Sequence, residues 1–135
     1  MTKTIFLSLP VKDLAASTRF YAAIGCQKND QFSDDKASCM VWSETITFML
    51  LTQDYFGTFI DKPVADTAKA TGALIALSLD TREAVDAIVA TAIANGGKGD
   101  HREARDMGFM YQRAFEDPNG HTFEPLWLNP EATFG

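Results

Sequence analysis

The chain has 135 residues, 46% of them hydrophobic and 22% charged, which is the size and make-up of one globular domain able to bury its own core. Twelve basic against eighteen acidic side chains leave a net charge of −6, which argues against a nucleic-acid or anionic-membrane partner. Two cysteines, Cys26 and Cys39, are too few for a disulfide framework and suit a reducing compartment. No apolar stretch approaches a membrane span, and Pro10, Lys12 and Asp13 arrive too early for a signal-peptide core, so a cytoplasmic location is expected.

Residues 4–9 alternate as a strand, with Ile5, Leu7 and Leu9 on one face and Thr4, Phe6 and Ser8 on the other. Pro10 is expected to end the pairing, and Asp13 to cap a helix carrying Leu14, Phe20, Tyr21 and Ile24 on one stripe until Gly25 stops it. Strands are expected at 28–32, 37–42 and 46–51, separated by Ser33-Asp34-Asp35 and Ser43-Glu44-Thr45. Residues 53–72 form a connector in which 55–60 reads as a short helix.

The pattern then restarts. Residues 73–79 alternate with Ile75, Leu77 and Leu79 on one face and Leu74, Ala76 and Ser78 on the other. Thr81 caps a helix striped by Val85, Ile88, Val89, Ala92 and Ile93, which Asn95-Gly96-Gly97 ends. Strands are expected at 98–103, 109–115 and 121–128, with turns at Asp106-Met107-Gly108 and Asp117-Pro118-Asn119-Gly120. Each half therefore reads β-α-β-β-β, an α+β duplication with modules at about 1–52 and 73–128. The letters agree weakly: Thr47-Phe48-Met49-Leu50-Leu51 and Thr122-Phe123-Glu124-Pro125-Leu126 share three identities, and Phe6 aligns with Leu74. One strand face of each module packs on its helix; the other is free to line a cleft between the modules or to serve as further core.

The duplication, with Val11-Lys12-Asp13-Leu14 leading to Arg19-Phe20-Tyr21 and Gly25, resembles the glyoxalase, bleomycin-resistance and extradiol-dioxygenase (vicinal oxygen chelate) superfamily. Residues 115–124, Phe-Glu-Asp-Pro-Asn-Gly-His-Thr-Phe-Glu, resemble its C-terminal motif. The resemblance implies a tandem βαβββ fold with a curved mixed sheet around a cleft, and in the metal enzymes a divalent ion held by His or Glu on the first and last strands of each module. Carried over by position, those four places fall on Phe6, Met49, Leu74 and Glu124. Only Glu124 has a ligand-type side chain, and three or four N/O donors are usual. Both histidines, His101 and His121, lie in the second half, and neither has a defensible partner at ligand spacing. No metal or other cofactor is therefore expected, a divalent ion being the disfavoured alternative.

The leading expectation is metal-independent small-molecule binding in an apolar cleft lined by Phe6, Ser8, Thr47, Met49, Leu74 and Glu124, as the resemblance to bleomycin-resistance proteins implies. Glu124 has three readings: a structural group bonded to backbone or water, a polar anchor for a cationic or donor ligand, or a general base amid apolar neighbours. The alternatives are a glyoxalase-type lyase or isomerase using Glu124 or an unidentified metal, and an interaction module whose cleft is filled. The resemblance also implies a homodimer. Tyr111, Gln112 and Arg113 alternate without revealing which faces the cleft, and for Arg113 a surface salt bridge is expected. Cys26 and Cys39 read as inert apolar groups, and Trp42 and Trp127, near strand ends, as packing or interface residues or equally as a ligand platform.

Overall fold

Pro10, expected to end the first strand, is instead inside it. In the computed structural model, which describes residues 1–132, β1 (Ile5–Val11) runs parallel to β4 (Ile46–Thr52), with Pro10 opposite Leu51 and Val11 opposite Thr52. β1 lies at the edge of a sheet ordered β1-β4-β3-β2; a strand with one unpaired side tolerates a residue without N–H. β2 (Gln27–Asn29), β3 (Ala37–Val41) and β4 form the antiparallel part. The strand expected at 28–32 stops at Asn29, whose side chain accepts from Gln31 N–H at 3.0 Å and caps a 3-10 turn over Asp30–Phe32. Here local side-chain bonding outcompetes the ladder.

Helix α1 (Leu14–Ala23) starts where Asp13 accepts from Ala16 N–H at 3.0 Å, satisfying a donor that has no partner within the helix. Its buried Phe20 and Tyr21 pack beside Phe48, the Tyr21 and Phe48 rings lying 5.6 Å apart. Gly25 ends the helix at φ 125°, with the Trp42 ring 3.5 Å from where a Cβ would stand. Leu9 is buried and Leu7 half-buried as expected, but Ile5, at the first strand position, is 53% exposed. Helix α2 (Gln53–Gly57) begins two residues earlier than expected and is shorter. Thr52 both ends β4 and caps α2, accepting from Tyr55 N–H at 3.3 Å. These elements form a compact unit over Met1–Asp66.

The second unit begins at Thr67. β5 (Leu74–Leu79) pairs in parallel with β10 (Thr122–Leu128), and α3 (Arg82–Ala94) starts with Thr81 accepting from Ala84 N–H at 3.0 Å. Val85, Ile88, Val89 and Ala92 are buried. Ile93, assigned to the same stripe from sequence, is 53% exposed and leans on Gly99, where a Cβ would stand 2.6 Å from its Cδ1. The strand expected at 98–103 survives only as β6 (Lys98–Gly99). Asp100 N–H still bonds the Ala114 carbonyl at 2.9 Å while its carboxylate binds the Arg113 guanidinium, and beyond it the chain leaves the ladder. β7 (Arg105–Asp106) forms a small hairpin with β8 (Met110–Gln112).

The strand expected at 109–115 is split into β8 and β9 (Phe115–Glu116), yet its register against β10 is continuous: Gln112 faces Leu126 and Phe115 faces Phe123. At the break Arg113 N–H still bonds the Pro125 carbonyl at 3.1 Å; proline has no N–H to return the second bond. The repeat holds at the level of register, since Phe6 faces Thr47 just as Leu74 faces Thr122.

The Asp117-Pro118-Asn119-Gly120 turn is built from its own side chains. Buried Asp117 accepts through Oδ1 from Asn119 N–H (2.9 Å) and His121 N–H (2.8 Å), and through Oδ2 from the Asn119 amide (3.1 Å). Gly120 closes the turn at φ 90°. Its missing Cβ leaves room for the Thr67 carbonyl, which a Cβ would meet at 2.2 Å, while Thr67 Oγ1 donates to the Asn119 carbonyl at 2.6 Å.

Candidate functional site

On the first sheet, the face turned away from Phe48 and Leu50 carries Phe6, Ser8, Thr47 and Met49, the four residues singled out there from sequence: Phe6 faces Thr47 and Ser8 faces Met49 across the ladder. Ser8 and Met49, with Ala37 and Leu51, contribute to a pocket of about 490 Å³. Sequence reasoning missed the rest of its wall. Tyr55 and Phe56 of α2, with Phe59 and Ile60 just beyond it, form one side, and Phe32 and Asp34 another. The Tyr55 and Phe59 rings meet edge to face at 5.0 Å. Phe6 and Thr47 lie outside this lining; Phe6 is 66% exposed and Thr47 is buried. The volume is in the range of small-molecule sites. The signal that could have found it was the aromatic pair at i, i+4 in the connector, Tyr55 and Phe59.

In the second unit Glu124 and Leu74 again share a face, but the residue directly opposite Glu124 is Ala76. Leu74 is 60% exposed. Glu124 does not stand alone among apolar groups. One Arg102 guanidinium nitrogen donates to Glu124 Oε2 at 2.8 Å and to Gln112 Oε1 at 3.1 Å, both ion-pair partners being largely buried. Gln112 is thus the residue of its trio that shares the Glu124 face. Arg102 was missed because its segment was read as strand.

Tyr111 and Arg113 turn to the other side. Tyr111 Oη donates to Asp86 at 2.6 Å, and Arg113 pairs with Asp86 at 3.0 Å and with Asp100. The Tyr111 hydrogen bond holds the Asp86 carboxyl below its ordinary range and pushes the Tyr111 hydroxyl up; the Arg113 guanidinium does the same to Asp100 and is itself raised. Asp100, Tyr111 and Arg113 border an open depression of about 630 Å³ also lined by His101, Arg102 and Glu103, and both of its arginines are already ion-paired. Nearby, Arg82 grips Asp106 through two 2.9 Å bonds and lies over the rings of Tyr111 and Trp127, 5.2 and 5.0 Å from their centroids. That grip, with the Gly108 N–H, lowers Asp106 to about 2. Trp127 packs a cation, and Trp42 covers Gly25.

Neither thiol offers a nucleophile: both are buried, and desolvation pushes Cys26 up to about 12 and Cys39 upward too. His101 is exposed, His121 is buried ahead of β10, and no three His, Cys, Asp or Glu side chains gather as metal donors among the described residues. The divalent ion implied by the resemblance does not fit the side chains present. Phe6 and Leu74 have no donor, Met49 has only a soft thioether, and one Glu124 oxygen is committed to Arg102. No helix among the described residues is long and apolar enough to cross a membrane.

The family model described as the glyoxalase/bleomycin resistance protein/dioxygenase superfamily matches residues 4–124. No curated protein matches the chain in sequence. Among solved structures, a hypothetical protein from S. aureus is 26% identical over 94% of this chain and 95% of its own, with a TM-score of 0.79. A glyoxalase-related enzyme from Fulvimarina pelagi is 20% identical over 100% and 94%, with a TM-score of 0.80. The fosfomycin resistance protein FosX from Mesorhizobium loti is 15% identical over 94% and 92%, with a TM-score of 0.68. The last two likenesses bear on the fold alone.

Proposed function

We propose, on the premise that the chain belongs to the glyoxalase/bleomycin resistance protein/dioxygenase superfamily, that it binds a small molecule with an apolar body and needs no metal ion to do so. The observation that carries this reading is the pocket of about 490 Å³ in the first unit, walled by Met49, Leu51 and the rings of Phe32, Tyr55, Phe56 and Phe59. Pockets of this size with apolar walls and a few polar groups are what small-molecule recognition requires. Within this reading Glu124 is a structural group. Its ion pair with Arg102, whose guanidinium also donates to Gln112, supports that role, because the carboxylate is held in place by a cationic partner and not aimed alone into an apolar cleft. The working form is a homodimer, in support of which the edge strands β1 and β5 expose Ile5, Phe6 and Leu74.

The test is titration with 2-naphthylmethanol followed by protein NMR, with and without a chelator, beside elemental analysis of protein purified without a metal-affinity tag. Saturable shifts clustered at Met49, Tyr55, Phe56 and Phe59, unchanged by the chelator, are expected. Shifts elsewhere, or binding that vanishes with the chelator and returns with one equivalent of zinc, nickel, iron or manganese, would overturn the reading.

A further inference from the structure

The polar groups of the same pocket set the charge of what it takes. Among its lining residues there is no Lys, Arg or His, and the one charged side chain is Asp34. Asp34 Oδ1 accepts from Lys36 N–H at 2.8 Å and Ala37 N–H at 3.0 Å, which fixes the carboxylate on its turn. Oδ2 has no protein partner among the described residues, and no cationic side chain pairs with it. The carboxylate therefore shares the pocket lining with four aromatic rings, with half its accepting capacity unspent.

Aromatic faces are negative and attract an ammonium or its alkylated forms, and a nearby carboxylate adds Coulomb attraction that water at the pocket rim weakens without abolishing. An anion would meet the opposite: aromatic rings and a like charge, with no Lys, Arg or His in the lining to answer it. We infer that this pocket selects an organic monocation, an amine or quaternary ammonium on an apolar or aromatic body, with the charged nitrogen near Asp34 and the body on Met49, Leu51 and the α2 rings. The inference rests on the binding function proposed above and adds to it the class of ligand.

The test compares three probes sharing one aromatic body: (2-naphthylmethyl)trimethylammonium, 2-naphthylmethanol and 2-naphthylacetate, titrated by isothermal calorimetry. The cation is expected to bind about tenfold tighter than the alcohol, and the anion most weakly. Asp34→Asn keeps an oxygen to accept the Lys36 and Ala37 N–H groups, so the turn persists. It should cut the preference for the cation over the alcohol to under about threefold. Phe59→Leu, at an exposed position, should also narrow the preference. Equal affinity for cation and alcohol, or a preference that survives both substitutions, overturns the inference while the pocket remains a binding site. Failure of all three probes to bind removes the site and the inference together.

Discussion

Replacing Gly120 by alanine should damage the second unit far more than the same change at Gly108, although both glycines sit at positive φ, 90° and 81°. For either residue, holding an L side chain in that region costs about 1–2 kcal/mol. At Gly108 a Cβ meets nothing within 4 Å, so the cost ends there. At Gly120 the Cβ would stand 2.2 Å from the Thr67 carbonyl oxygen and 2.8 Å from its carbon, backbone atoms that cannot rotate aside. Moving them adds strain of about 1–3 kcal/mol. It also breaks the 2.6 Å bond from Thr67 Oγ1 to the Asn119 carbonyl, worth about 1 kcal/mol. Gly120→Ala should thus lose about 4 kcal/mol against about 1–2 kcal/mol for Gly108→Ala. Urea unfolding in a Trp42→Phe background, where Trp127 alone reports on the second unit, measures both. Equal losses at the two positions would show that Thr67 does not press on this turn and would refute the packing argument.

Acid should weaken the second unit. Asp106, lowered to about 2, and Asp86 and Asp100, also held down, bind protons less readily folded than unfolded. Their stabilisation is full above the unfolded carboxyl range near pH 4 and fades as pH falls through the folded values toward 2; an unchanged urea midpoint between pH 5 and pH 2.5 would contradict this, and Arg82→Met should flatten the response. Arg102→Met and Glu124→Gln, combined in a double-mutant cycle, should couple by about 1–2 kcal/mol, since the pair is charge-assisted but not fully dry; a coupling of zero would return Glu124 to solvent. Neither Cys26 nor Cys39 should react with a thiol reagent at pH 8 until the protein unfolds, because both are buried and their thiols raised; stoichiometric labelling of the native state would rule out that burial.

Much of the scaffold was legible because it depends on short-range periodicity. The alternation of Leu74–Leu79, the caps Asp13 and Thr81, and the Asp117–Gly120 turn are each decided within a few residues. The two prolines in the strands misled in opposite ways. Pro10 suggested an end where an edge strand simply continues, and Pro125 leaves no mark on its own strand but interrupts its neighbour. The sites were harder because their partners are distant in sequence. Nothing near Glu124 announces that Arg102, 22 residues earlier, reaches it once the chain has left the ladder beyond Asp100. Ser8 and Met49 were found from strand parity, whereas the rings opposing them come from a connector whose destination parity does not specify.

The junction at Thr52 has a kinetic meaning for whatever enters the first unit. One residue closes β4 and caps α2, so no linker separates the strand carrying Met49 and Leu51 from the helix carrying Tyr55 and Phe56. Two walls of the cavity are thus one continuous rigid corner, and little ordering cost remains for a ligand to meet on arrival. Recognition at such a corner favours lock-and-key association, and differences among ligands of like charge fall chiefly on how long each one stays.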